Sequence, residues 1–132
     1  MDSVLFVSPY PQDAQSLALM LADISLPLEH AKCLKDASSK LETKGFEVIL
    51  SEADLEDGDW KDALRMARSA GAELVVTHPW ADAVFWAEAI NVGAYDVLAQ
   101  PFQKTEVRRV LTSASSARIG LSGQRSASHG VG

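Results

Sequence analysis

Short apolar runs alternate along this chain with stretches of helical period, and no other feature limits the possible folds as tightly. Residues 3–8 (SVLFVS) form a β-branched and aromatic run stopped by Pro9, Tyr10 and Pro11. Residues 28–32, 46–51, 73–77 (ELVVT) and 95–99 supply four more. Runs of this length read as strands covered on both faces. Leu17, Met20, Leu21 and Ile24 recur at helical spacing after Pro11. Leu34–Thr43 follows as a short helix with Gly45 as a left-handed cap. Asp59 caps a third helix, with Asp62 in a capping-box position and Gly71 at its end. Residues 81–92 make a small-residue helix ended by Gly93, and Thr105 caps a last one running to about Ser116. Five strands alternating with five helices imply a three-layer α/β fold, a parallel sheet doubly wound by right-handed crossovers.

The third run ends in a carboxylate. In FEVILSEADLEDGDW, Val48, Ile49 and Leu50 lead to Glu52 and then to an acidic loop of Asp54, Glu56, Asp57, Gly58 and Asp59. Ligands of open α/β sheets bind beyond the carboxyl ends of the strands, so Glu52 stands where chemistry would be done. The loop lacks the DxDxDG…E order of a calcium site and reads as a solvated loop ending in a helix cap.

With 132 residues, 47% hydrophobic and 23% charged, one domain can bury its core unaided. A net charge of −6 opposes a nucleic-acid surface, which needs a basic stripe. The one cysteine, Cys33, excludes an internal disulfide and suits a reducing cytoplasm. No secretory leader is expected, and no apolar segment approaches the ~20 residues of a membrane span. Residues 117–132, rich in Ser, Gly and Ala, read as a disordered tail or linker, which leaves residues 1–116 as the domain.

Three stretches, in order, resemble the receiver domain of bacterial two-component response regulators. The third strand ends in an acid (VILSEADLEDGDW), the fourth in a hydroxyl at Thr77 (LVVT), and residues 93–102 (GAYDVLAQPF) resemble the family's Gly-Ala-x-Asp-Tyr-Leu-x-Lys-Pro-Phe without gaps. The resemblance covers roughly residues 3 to 116 and implies a flavodoxin-like, five-stranded sheet of order 2-1-3-4-5. Such a domain takes a phosphoryl group onto an aspartate ending the third strand. Two acids after the first strand hold Mg²⁺ there, and a lysine after the fifth neutralises phosphoryl charge.

At those places the resemblance puts Ser8 and Pro9 for the acid pair, Glu52 for the acceptor and Gln100 for the lysine. Neither Ser8 nor Pro9 offers the carboxylate that Mg²⁺ prefers, so neither metal nor other cofactor is expected. Thr77 is retained. The family's switch aromatic falls on Val97, with Tyr95 on the same strand face. The implied protein is a degenerate pseudo-receiver, not an enzyme.

Glu52 has two readings. Its extra methylene can carry the carboxylate to where a phosphoryl oxygen would lie, with Thr77 as hydrogen-bond partner, or it is a solvated acid at a strand end. His78 fills part of the cleft or confers pH sensitivity, or it idles in a loop. His30, Cys33 and His129 lack metal-ligand spacing, and Ser8 or Ser51 with His78 has no nucleophile elbow. Phe85 and Trp86 adjoin on one helix, so one of them faces outward, while Trp60 and Trp80 flank the cleft. Val84, Phe85, Trp86 and Glu88, with Tyr95 and Arg108 or Arg109, would form a homodimer face on the fourth helix, fifth strand and fifth helix. Across a two-fold axis Glu88 would meet an arginine of the second copy.

Three functions compete. The first is a phosphorelay interaction module whose partner is a signalling kinase, an output protein or a second copy. The second is a receiver that accepts phosphate on Glu52 or Asp54. The third is a small-ligand binder, opposed by prolines in residues 8–13 where a phosphate cradle needs glycines.

Overall fold

In the computed structural model, which describes residues 3–131 and, for residues 118–131, the backbone alone, strands and helices alternate from end to end. The elements are β1 (Val4–Val7), α1 (Pro11–Leu21), β2 (Leu28–Ala31), α2 (Leu34–Thr43), β3 (Val48–Glu52), α3 (Trp60–Ala70), β4 (Glu73–His78), α4 (Ala83–Val92), β5 (Asp96–Ala99) and α5 (Lys104–Val131). The five strands form one parallel sheet of order β2-β1-β3-β4-β5, as expected.

Period-two alternation sorts the strand residues onto two faces. Leu5, Val7, Ile49, Leu74, Val76 and Val97 pack under α2, α3 and α4. Val4, Phe6, Val48, Leu50, Val75 and Leu98 pack under α1 and α5, against Leu17, Leu21, Val110 and Leu111. Fully burying one such aliphatic side chain contributes roughly 1.5–3 kcal/mol, so both layers are needed to hold β3 at the centre.

The acidic loop is solvated and ends in a helix cap as expected, and it also contains a short hairpin that the sequence did not announce. Asp54–Leu55 and Gly58–Asp59 pair as a short antiparallel hairpin, Asp54 opposite Asp59 and Leu55 opposite Gly58. Gly58 has φ 157°, and a Cβ there would run into the Asp62 carboxylate and Leu34. Asp59 caps α3: its Oδ1 accepts from the backbone N–H of Lys61 at 2.9 Å and of Asp62 at 3.3 Å. Asp62 Oδ2 in turn accepts from the Asp59 N–H at 3.0 Å, closing the capping box. Asp57 reaches back to α2, accepting from the N–H groups of Leu34 and Lys35 at 3.0 Å each. That outside cap matters because Cys33, at the N-cap of α2, makes no side-chain cap bond. Hydrogen bonding to the Leu34 N–H holds the Asp57 carboxyl below its ordinary value.

Other boundaries also differ. Gly45 is not a left-handed cap, since α2 ends on extended Lys44 and Gly45 is not among the positive-φ positions of the described residues, which are Ser25, Gly58, Gly71 and Gly93. Thr105 lies inside α5, which begins at Lys104, and α4 begins at Ala83 rather than residue 81, with Asp82 capping it by accepting the Phe85 N–H. The α5 backbone stays helical past Ser116, through a stretch with no proline to stop it. The side chains of the expected 117–132 tail fall, from residue 118 on, outside the described residues.

Asp59→Ala should lower stability by about 1 kcal/mol in urea unfolding at neutral pH, the usual cost of a lost N-cap. Asp57→Ala should also destabilise. Its carboxyl is held low in the fold, so this deficit is full above the unfolded pKa and should vanish as pH falls far enough to protonate both states.

Candidate functional site

Four strand ends converge at the carboxyl edge of the sheet. Glu52 is the last residue of β3 and lies in register with Thr77 of β4. Ser8 follows β1, and Gln100 follows β5. With layers on both sides, Glu52 keeps 4% of its surface exposed, and Ser8 and Thr77 keep none. The solvated-acid reading is therefore overturned: at the end of a central strand covered on both sides, the Glu52 side chain is almost wholly removed from water.

Its two oxygens are bonded separately. The Ser8 hydroxyl donates to Glu52 Oε2 at 3.2 Å, while Gln100 Nε2 donates to Oε1 at 3.1 Å. The same Gln100 nitrogen donates to Thr77 Oγ1 at 3.0 Å. Gln100 thus bridges acid and hydroxyl, where the sequence suggested a direct Glu52–Thr77 bond. Ser8 is itself fixed, its Oγ accepting the Tyr10 N–H at 3.1 Å and its carbonyl lying 2.7 Å from His30 Nε2. Burial raises the Glu52 pKa and the Asp13 charge adds to that, against the opposing pull of the Gln100 and Ser8 hydrogen bonds and of His78. Pro9, half-buried, has no side-chain donor or acceptor.

His78 closes one side of the site. Its Nδ1 accepts the Trp80 N–H at 2.8 Å, its Nε2 lies 4.0 Å from Asp54 Oδ2, and its ring sits 4.9 Å from that of Phe85. Phe85 in turn meets Trp60 edge-on at 5.9 Å. Beside them a cleft of about 590 Å³ is lined by Asp13, Ser16, Met20, Trp80, Gln100 and Phe102, among others. Trp80, 80% exposed, flanks this cleft as expected, whereas Trp60 is core. Asp13 escaped the sequence reading; its one signal was an acid in the first turn after Pro11.

No family model matches this chain, and no curated protein matches it in sequence. Solved structures do. The signal receiver domain of a putative Luxo repressor protein from Vibrio parahaemolyticus aligns with a TM-score of 0.81 at 17% identity, over 89% of this chain and 92% of that one. A CheY-like receiver domain protein from Methanospirillum hungatei JF-1 gives 0.78 at 16%, over 91% and 98%. The beryllofluoride-activated NtrC4 receiver domain dimer gives 0.80 at 24%, over 89% and 99%. The fold is the receiver fold. At these identities the likeness establishes architecture and leaves activity to the chemistry of the site.

The remaining positions sort by exposure. Val97 is buried on the α2–α4 side, while Tyr95 packs against the α1–α5 cluster, so the two do not share a face. Tyr95 precedes the first strand residue, Asp96, and strand alternation does not reach it. Phe85 turns inward and Trp86 outward, 48% exposed, with its Nε1 3.4 Å from Asp96 Oδ1. Val84 is 77% exposed. Glu88 pairs with Lys61 at 3.4 Å and Arg109 with Glu106 at 2.9 Å. Arg108 pairs with Asp23 at 3.4 Å, which directs it to the α1 side rather than the α4 face. Among the described residues, no group of three or more His, Cys, Asp and Glu side chains could hold a metal ion, and no helix is long and apolar enough to cross a membrane.

Because the folded pKa of Glu52 is raised, its contribution to stability is full below the unfolded pKa and is lost as pH rises through the folded one. Stability of Glu52→Gln relative to wild type should therefore increase from acid to neutral pH in chemical unfolding. A constant difference across that range would show that the Glu52 pKa is not raised by folding.

Proposed function

We propose that this chain is a receiver-like module of two-component signalling that works by protein–protein contact and takes no phosphoryl group in the standard way. The observation that carries this reading is the engagement of both Glu52 oxygens by Ser8 and Gln100. A phosphoacceptor needs a free carboxylate oxygen, and phosphoryl transfer needs cations around the equatorial oxygens. At this site the donors are a hydroxyl and an amide, both neutral. Nor does the donor set favour Mg²⁺, since the side chains of Ser8 and Pro9 offer no carboxylate and both Glu52 oxygens already accept hydrogen bonds. The Glu52 carboxylate held between Ser8 and Gln100 is the feature closest to a built-in imitation of a charged, occupied site. Acetyl phosphate with Mg²⁺ should leave the intact mass unchanged, and one phosphoryl group found on Glu52 or Asp54 would replace this reading with a phosphate-accepting one.

The contact surface in this reading is the outward face of α4 with β5. Of the ten α4 residues Ala89 alone is buried, and Val84, Trp86 and Val92 are exposed apolar side chains. The NtrC4 receiver, solved as a dimer, shows that one protein of this fold self-associates. A second copy is accordingly the first partner to test. Trp86→Ala should weaken self-association by about 2 kcal/mol, the scale of an aromatic anchor, read as a shift toward monomer in analytical ultracentrifugation with helicity retained. A wild type that is monomeric at high concentration would rule out a homodimer and leave a different protein as partner.

A further inference from the structure

Gln100 is placed to read whether Glu52 carries a proton. Its amide nitrogen donates to Glu52 Oε1 and to Thr77 Oγ1 from one position, so both of its hydrogens are committed. An ionised Glu52 can only accept, and this orientation satisfies it. A Glu52 protonated at Oε1 presents a donor to the same amide, and two donors cannot face each other. The conflict is removed if the amide turns over. Its carbonyl, with two acceptor sites, then takes the Glu52 O–H and the Thr77 O–H together, and every group is again paired. The amide therefore has two paired orientations, and a proton on Oε1 selects the second; a proton on Oε2 would leave the amide in place but turn the Ser8 O–H away from Glu52.

We propose that the site is a proton-operated switch in which protonation of Glu52, rather than phosphorylation, changes the charge at the end of β3 and reverses the Gln100 amide. This rests on the reading above that Glu52 is not phosphorylated. Gln100 also lines the cleft with Asp13, Met20, Trp80 and Phe102. With its nitrogen engaged by Glu52 and Thr77, the atom it leaves for the cleft is an acceptor; turned over, it offers a donor. A change in Glu52 charge is thus converted into a change in what the cleft can bind.

The charged and titratable neighbours are Asp13 on α1, which opposes ionisation, and His78 on β4, which favours it. Asp54 on the hairpin faces His78 from the far side at 4.0 Å. On the β1 side the partner is the neutral Ser8 hydroxyl. Among the described residues, no lysine or arginine donates to Glu52. Burial without a cation is what moves the proton equilibrium upward.

The test is an NMR titration of the full chain without any phosphodonor. It follows the Glu52 side-chain carboxyl carbon and the Gln100 side-chain NH₂ group, in wild type, Glu52→Gln and Gln100→Lys. In wild type both signals should move with one shared midpoint, above the ordinary carboxylate range. Glu52→Gln should abolish the Gln100 transition. Gln100→Lys, which sets an ammonium against the carboxylate, should lower the Glu52 midpoint. A Glu52 midpoint in the ordinary range, or a Gln100 signal that ignores Glu52, overturns the proposal. So does a Gln100 transition that survives in Glu52→Gln. The acetyl phosphate assay decides the non-phosphorylated reading separately, so the failure of one is distinguishable from the failure of the other.

Discussion

A carboxylate at the end of the central strand of a sheet covered on both faces must be satisfied by whatever the neighbouring strand ends bring. Desolvating an ion costs several kcal/mol even after relaxation, and a hydrogen bond to a charged group returns roughly 1.5–3 kcal/mol. Glu52 has two such bonds and, among the described residues, no cation donating to it. The arrangement is self-consistent only because each donor is itself held: Ser8 by the Tyr10 N–H, Gln100 by Thr77. Loosening any of these groups leaves a buried polar atom unpaired, so the site behaves as one network rather than as a row of separate side chains.

The acidic hairpin next to Glu52 fixes local geometry. Asp57 and Asp59 spend their oxygens on the first N–H groups of α2 and α3. Carboxylates suit those places because helix N-termini carry partial positive charge. One short hairpin thereby ties two helices of the same layer to the end of β3. The backbone completes the tie, with the Ala53 N–H donating to the Thr77 carbonyl and the Trp60 N–H to the Ala53 carbonyl.

The sheet and most helix limits were legible because burial on both faces writes short apolar runs that periodicity can read, while the strand order was implied by the resemblance alone. The Asp59–Asp62 capping box was legible for a similar reason, being local in sequence. What escaped was long-range. Asp57 caps a helix 22 and 23 residues away, and nothing in the residues near it announces that. The placement of Ser8, Glu52, Thr77 and Gln100 could be read from the resemblance, but their bonding could not. Glutamine in place of lysine removes a charge on paper; that it also bridges Glu52 and Thr77 depends on a separation only the folded chain sets. The outward turn of Trp86 likewise rests on which of two adjacent aromatics finds a neighbour.

That neighbour ties α4 to the site. Phe85 goes inward because Trp60 and His78 give it ring contacts at 5.9 and 4.9 Å. The register so fixed leaves Trp86, one residue on, outside, beside Asp96 of β5. A helix apolar nearly all round is normally buried, yet α4 buries one residue of ten and is held otherwise by its Asp82 and Gly93 caps. Few buried contacts mean a low local cost of displacement. The ring that anchors α4 rests on His78, which accepts the Trp80 N–H from the same loop and stands immediately after Thr77. His78 and Phe85 are therefore the contact that joins the Thr77 end of β4 to the helix whose apolar surface solvent already touches.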